Sequence, residues 1–178
     1  MARATLVSAA APCESSAGMD PHVLRRIFEE FIPFNRFLGM RATELEPGLA
    51  RIEIPFRDDF VGDPSRPAIH GGLLSTLADT AGGMAVWSSL SDPAARVSTI
   101  DLRVDYLLPG RLETVAGEAR VLRVGSSVGV ADIRLYHPAE PERTIATAKG
   151  VYAVRVPREP REIGAERARS DAEGSRGA

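Results

Sequence analysis

From His70 to Leu90 the chain reads HGGLLSTLADTAGGMAVWSSL, and Asp79 is the only charged side chain among the 20 residues that follow His70. That length is enough to span a bilayer, but half of the stretch is small, polar or charged, including Gly71, Gly72, Ser75, Thr76, Gly82 and Gly83. An aspartate near the middle would cost about 2.5–3.5 kcal/mol on insertion scales. The stretch therefore reads as a long helix buried on nearly all sides within a soluble fold. A sheet wrapped around it, together with a second chain, would supply that cover.

The helical neighbours of Asp79, three and four residues away, are Ser75, Thr76, Gly82 and Gly83. The acid thus stands on a strip of small residues, where another backbone or a thin ligand can come close. Mid-helix glycines cost about 1 kcal/mol each relative to alanine, and close approach is the expected compensation. At the start of the helix, His70-Gly71-Gly72 offers no Ser, Thr, Asp or Asn as a cap. The first backbone N–H groups are therefore expected to be unpaired. With the positive end of the helix dipole they suit an anion or a developing oxyanion. Asp79 lies nine residues beyond His70, about 13 Å by helical rise. One chain does not easily bring both to one carbonyl, whereas two antiparallel helices related by a two-fold axis do.

Upstream, Asp20-Pro21 marks a helix start, with a capping residue followed by proline at the first helical position. Leu24, Ile27, Phe28 and Phe31 recur at helical spacing, and Pro33 and Gly39 end the segment. Residues 40–46 and the alternating Ala50, Ile52, Ile54 and Phe56 predict two strands that turn at Pro47-Gly48. A loop rich in Gly, Pro and Asp then runs from Arg57 to Ile69. Downstream, Ile100, Leu102, Val104, Tyr106 and Leu108 alternate with more polar partners. Three further strand-like runs cover about residues 112–124, 127–136 and 144–156. Turn signals at Pro109-Gly110, Gly125 and His137-Pro138 predict that these four strands form an antiparallel meander. The fold class is α+β: one long central helix wrapped by a curved antiparallel sheet.

The chain has 178 residues, a net charge of −2 and one cysteine, Cys13. This is one domain without an internal disulfide or a cysteine-based zinc site. It also lacks the basic excess of an electrostatic nucleic-acid binder. Residues 1–18 read as a flexible extension and 157–178 as a disordered charged tail, leaving 19–156 as the folded domain. No targeting or membrane-spanning segment is expected, so a cytoplasmic location is the expectation. All basic residues except Lys149 are arginine, which compositional bias would explain and which would also suit a phosphate-bearing ligand.

The motif His70-Gly71-Gly72-Leu73-Leu74-Ser75-Thr76-Leu77-Ala78-Asp79-Thr80-Ala81 resembles the signature of hot-dog-fold acyl-CoA thioesterases of the phenylacetic-acid-degradation (PaaI-like) type. Residues 98–102 and the run from Tyr106 to Gly110 resemble the strand after the hot-dog helix and its Pro-Gly turn. The resemblance implies that Asp79 is the catalytic carboxylate. It also implies that the Gly71 N–H polarises the thioester carbonyl and that His70 orients the loop or the substrate. The site would lie across a homodimer, either alone or within a dimer-of-dimers tetramer. No metal or organic cofactor is implied. Gly72 and an assisting strand residue, Ser98 with Thr99 as its neighbour, are substrate-contact candidates. Family members often carry an asparagine before the His-Gly-Gly; here Asp63 holds the nearest place, and an ionised carboxylate cannot donate. Arg123 and Ser126, at the turn around Gly125, are candidate contacts for the phosphates of coenzyme A.

The expected reaction is hydrolysis of an acyl-CoA or acyl-carrier thioester to free acid and thiol, with Asp79 as base or nucleophile. Two alternatives are a hot-dog hydratase or dehydratase of enoyl or hydroxyacyl thioesters and a non-catalytic acyl-CoA-binding module. The first would be marked by hydration without thiol release. The second would be marked by tight binding without turnover.

Overall fold

A computed structural model describes residues 18–156. The expectations for the N-terminal extension and the charged tail therefore lie outside the described residues, apart from Gly18.

Helix α1 spans Pro21–Arg26, capped by the Asp20 side chain, which accepts from the His22 N–H. It runs on through a π-helical turn at Ile27–Phe31, and a second short helix, α2, covers Pro33–Leu38. The single helix predicted here is thus divided, because Pro33 cannot continue the first helix but suits the start of the next. The extra residue per turn also breaks the predicted helical stripe. Leu24 and Phe28 are buried, while Phe31 points to the surface.

Strands β1 (Arg41–Glu46) and β2 (Leu49–Ile54) form a hairpin, with Gly48 at φ 82° in its turn. A 3-10 turn at Asp58–Phe60 leads into a loop closed by a bridge between Val61 and Ile69. Helix α3 spans Gly71–Ser88. Strands β3 (Arg96–Tyr106), β4 (Val115–Val124), β5 (Val128–His137) and β6 (Glu140–Arg155) follow.

All six strands form one antiparallel sheet in the order β1-β2-β4-β5-β6-β3. The predicted four-strand meander is corrected by this order. Only β4, β5 and β6 meander; β3 crosses to the far edge beside β6, and β4 returns to β2. The connection after β3 is a stretch rather than a tight turn, and its length permits the crossing. Alternating burial marks a strand but does not name its neighbour.

Helix α3 packs against the inner face of the sheet through Leu73, Leu74, Leu77, Ala81 and Val86, all buried. At its end the Ser88 hydroxyl accepts from the Gly48 N–H at 3.0 Å and donates to the Glu46 carbonyl at 2.8 Å. That tie fixes the β1–β2 turn to the helix and so sets how far α3 extends across the sheet.

Candidate active site

The start of α3 is capped, contrary to expectation. His70 occupies the capping position, and its Nδ1 accepts from the Gly72 N–H at 2.9 Å. The Leu73 N–H bonds to the His70 carbonyl at 2.9 Å. Gly71 is left with an N–H that makes no hydrogen bond among the described residues. The cap therefore narrows the candidate donors to one and aims it away from the helix. Tyr106, at the end of β3, donates from its hydroxyl to the Gly71 carbonyl at 3.0 Å and also meets the Ser75 hydroxyl. The phenol thus holds Gly71 while the imidazole holds Gly72.

Asp79 lies two turns further along α3 and is half-buried. Thr99 of β3 donates to its Oδ1 at 2.7 Å. Tyr152 of β6 donates to its backbone carbonyl at 3.0 Å. Thr99 and Tyr152 are partners across the β3–β6 ladder, so one register position of the sheet holds both ends of the residue. The polar neighbours on the helix are satisfied within it: Thr76 donates to the Gly72 carbonyl and Thr80 to the Thr76 carbonyl.

The strip of small residues beside Asp79 has a specific occupant. A Cβ at Gly82 would overlap the Tyr152 hydroxyl, and one at Gly150 would overlap the same ring. Gly82 and Gly150 admit the Tyr152 side chain rather than a second backbone, while Gly83 remains open toward the trough. Burial, then the nearby Asp79 charge, push the Tyr152 hydroxyl well up from its ordinary value, so it stays a neutral donor.

Ser98 lines the same trough but does not reach Asp79; Thr99 does. The reason is a bulge at Ile100, where the ladder steps from Thr99↔Tyr152 to Asp101↔Val151. Beyond the bulge Leu102 and Val104 pack on the core, whereas before it Val97 does, so the inward parity changes from even to odd. Ile100 itself is 58% exposed.

The trough between α3 and β3 has a volume of about 200 Å³. Asp79, Gly83, Met84 and Trp87 line it from the helix, and Val97 and Thr99 from the strand. Phe28 and Ile32 cover it from the N-terminal segment. A second hollow of about 310 Å³ lies at the start of the helix between Gly71, Leu74, Tyr106 and Leu107.

The remaining candidates are not gathered around Asp79 in one protomer. Asp63 accepts from the Ser65 N–H at 2.8 Å and the Ser65 hydroxyl at 2.6 Å, and lies 3.5 Å from Arg66. The Ser65 hydroxyl and N–H hold its carboxyl below the ordinary value, and it is committed to its own loop. Arg123 and Ser126 make no side-chain hydrogen bond or ion pair among the described residues. Gly129, beside their turn, packs against Val86, which places them toward the end of α3 opposite Gly71. Among the described residues, no group of three or more His, Cys, Asp or Glu side chains is placed to hold a metal ion. Among the described residues, no helix is long and apolar enough to cross a membrane.

Residues 67–142 match the family model of the thioesterase superfamily. The chain is 34% identical over 140 residues to the medium/long-chain acyl-CoA thioesterase YigI of Escherichia coli, covering 72% of this chain and 89% of that one. It is 46% identical over 125 residues to a Halobacterium salinarum protein provisionally described as an esterase, covering 66% of this chain and 82% of the other. A thioesterase family protein from Silicibacter pomeroyi superposes with a TM-score of 0.69 at 28% identity, covering 76% of this chain and 98% of that one. The PaaI protein of Escherichia coli superposes with a TM-score of 0.67 at 23% identity, covering 78% and 95%, and so shares the fold.

Proposed function

The chain belongs to the thioesterase superfamily, and on that premise we propose that it hydrolyses acyl-CoA thioesters at a site shared by two antiparallel copies of α3. One observation carries the arrangement. The unpaired Gly71 N–H and the Thr99-bound Asp79 carboxylate lie on one helix, about 12 Å apart by rise. Across a two-fold axis the Gly71 of one protomer meets the Asp79 of its partner. The acyl-CoA class is also the one named for the YigI relative.

In this mechanism the thioester carbonyl oxygen accepts from the Gly71 N–H at the positive end of α3, where negative charge develops in the transition state. The Thr99 hydroxyl occupies Oδ1 of Asp79, which leaves Oδ2 for the attacking water. Asp79 takes a proton as the water oxygen bonds to the carbonyl carbon. The tetrahedral intermediate collapses, the C–S bond breaks, and the proton passes from Asp79 to the departing thiolate. His70 shapes the donor: its Nδ1 lone pair is engaged by Gly72, which keeps it from acting as a base on that nitrogen. That engagement favours hydrolysis over the hydratase reading. Gly72 forms the floor beneath the thioester, Arg123 and Ser126 meet the phosphates of coenzyme A, and the protein works in the cytoplasm as a homodimer or a pair of dimers.

Complementation tests the shared site. Asp79→Asn removes the base. Gly71→Pro removes the N–H at a helix position that tolerates proline, after a residue, His70, already at φ −60° and ψ 130°. Each variant alone is expected to be inactive. Refolding them together in equal amounts should restore about a quarter of wild-type thiol release, because half the dimers then carry one intact site of two. No recovery from the mixture would place both groups in a single-chain site.

A further inference from the structure

On α3, Asp79, Gly83 and Trp87 fall four residues apart on one face. The helix therefore presents a carboxylate, then a position without a side chain, then an indole, all lining the same trough. Thr99 and then Val97 line it from β3, and Phe28 and Ile32 line it from the N-terminal segment. Asp79 and Trp87 are separated by about 12 Å of helical rise. Helical side chains lean in a common direction, so the two groups keep roughly that spacing.

Carbon–carbon bonds of about 1.5 Å advance an extended alkyl chain by about 1.3 Å per carbon. A span of about 12 Å thus holds about eight or nine carbons. The trough measures about 200 Å³, more than the roughly 150 Å³ of an apolar cavity that takes a six-carbon ring, so a chain of that length has room in it.

We propose that Trp87 is the stop that sets acyl chain length, and that the preferred substrates are medium-chain acyl-CoA thioesters of about eight carbons. The proposal rests on the acyl-CoA reading of the site and selects one part of its substrate range. Trp87 Nε1 is buried without a hydrogen-bond partner among the described residues. The indole is held by packing, so phenylalanine in its place leaves no acceptor orphaned. Gly83 is the complementary feature: a methyl there would stand 3.4 Å from the Tyr152 ring, an ordinary contact, and would narrow the trough before the stop.

Two readouts test the stop. The first is the ratio of kcat/KM between acyl-CoA lengths within each variant, which cancels any overall loss of rate. Wild type should favour about eight carbons and decline beyond about ten, since each methylene left unburied forfeits about fourfold in binding. Trp87→Ala should raise the twelve-to-eight-carbon ratio about tenfold or more, and Trp87→Phe should change it less than about twofold. Gly83→Ala should lower the eight-to-four-carbon ratio about fourfold. A wild-type optimum at fourteen carbons or longer, or an unchanged ratio in Trp87→Ala, overturns the proposal.

The second readout does not depend on hydrolysis. Trp87 is the only tryptophan in the chain, so its fluorescence reports whether the acyl end reaches it. In Asp79→Asn, octanoyl-CoA should shift the emission and butanoyl-CoA should not. Equal shifts for both, or none for either, overturn the stop. Residual turnover by Asp79→Asn would instead count against the catalytic role of Asp79, while the emission series still decides the role of Trp87.

Discussion

Thr99 Oγ1 donates to Asp79 Oδ1 at 2.7 Å, so an edge strand orients the one acid of the central helix. The hydroxyl occupies one carboxylate oxygen and leaves the other without a hydrogen bond among the described residues. This contact depends on the bulge at Ile100, which turns Thr99 inward and Ser98 out of reach of the acid. In the proposed mechanism Thr99 is therefore a positioning residue acting through Asp79.

Thr99→Val should lower kcat by about ten- to a hundredfold with little change in KM, because a positioned base loses its orientation rather than its chemistry. Thr99→Ser should restore most of the rate. Ser98→Ala should stay within about threefold of wild type. Steady-state kinetics on one acyl-CoA check all three, and a larger loss at Ser98 than at Thr99 would reverse the assignment.

Asp79→Asn should lower kcat by about 10³-fold or more, within the range ascribed to a general base, with the thermal midpoint kept within a few degrees. If Asp79 attacked the carbonyl itself, a single turnover in heavy-oxygen water would label the Asp79 carboxylate. Mass spectrometry should find the peptide containing residue 79 unlabelled and the heavy oxygen in the released acid.

His70→Ala removes the acceptor for the Gly72 N–H. The expected loss is about 1 kcal/mol of stability, as for other helix caps. A fall in kcat should accompany it, because the Gly72 N–H then competes with Gly71 for the substrate oxygen. Urea unfolding and kinetics measured together separate the two effects. Asn in place of His70 should recover stability.

Gly82→Ala should destabilise the fold by about 1–3 kcal/mol, since the added methyl overlaps the Tyr152 hydroxyl in a packed core. Adding Tyr152→Phe should recover part of that loss by removing the colliding oxygen. The urea midpoints of the two single variants and the double variant form the required cycle.

Tyr152 also predicts an alkaline limit. Its folded value is raised by burial above the unfolded one, which lies near about 10. Its stabilising contribution is therefore complete below about pH 10 and is lost as pH climbs toward the folded value. Tyr136 is raised for the same first reason and adds to the trend. Urea midpoints between about pH 8 and 11 should fall less steeply for Tyr152→Phe than for wild type.

Much of this protein was determined by the sequence alone. One acid in a long, otherwise uncharged run marks a buried helix and singles out Asp79 as its candidate carboxylate. The order of helices and strands follows from local periodicity, and the length of α3 sets the distance between Gly71 and Asp79. These are properties of neighbouring residues, governed by helical rise and the burial of apolar side chains. Only the tertiary structure decided that β3 crosses to β6, that Thr99 rather than Ser98 meets the acid, and that Tyr152 fills the glycine gap. It also showed His70 capping the helix and Trp87 lining the same trough as Asp79. Even-numbered alternation from Ile100 onward extrapolates to Ser98, and a one-residue bulge reverses it. A bulge arises from pairing with a distant strand, and strand partners are chosen by contacts that local periodicity does not encode.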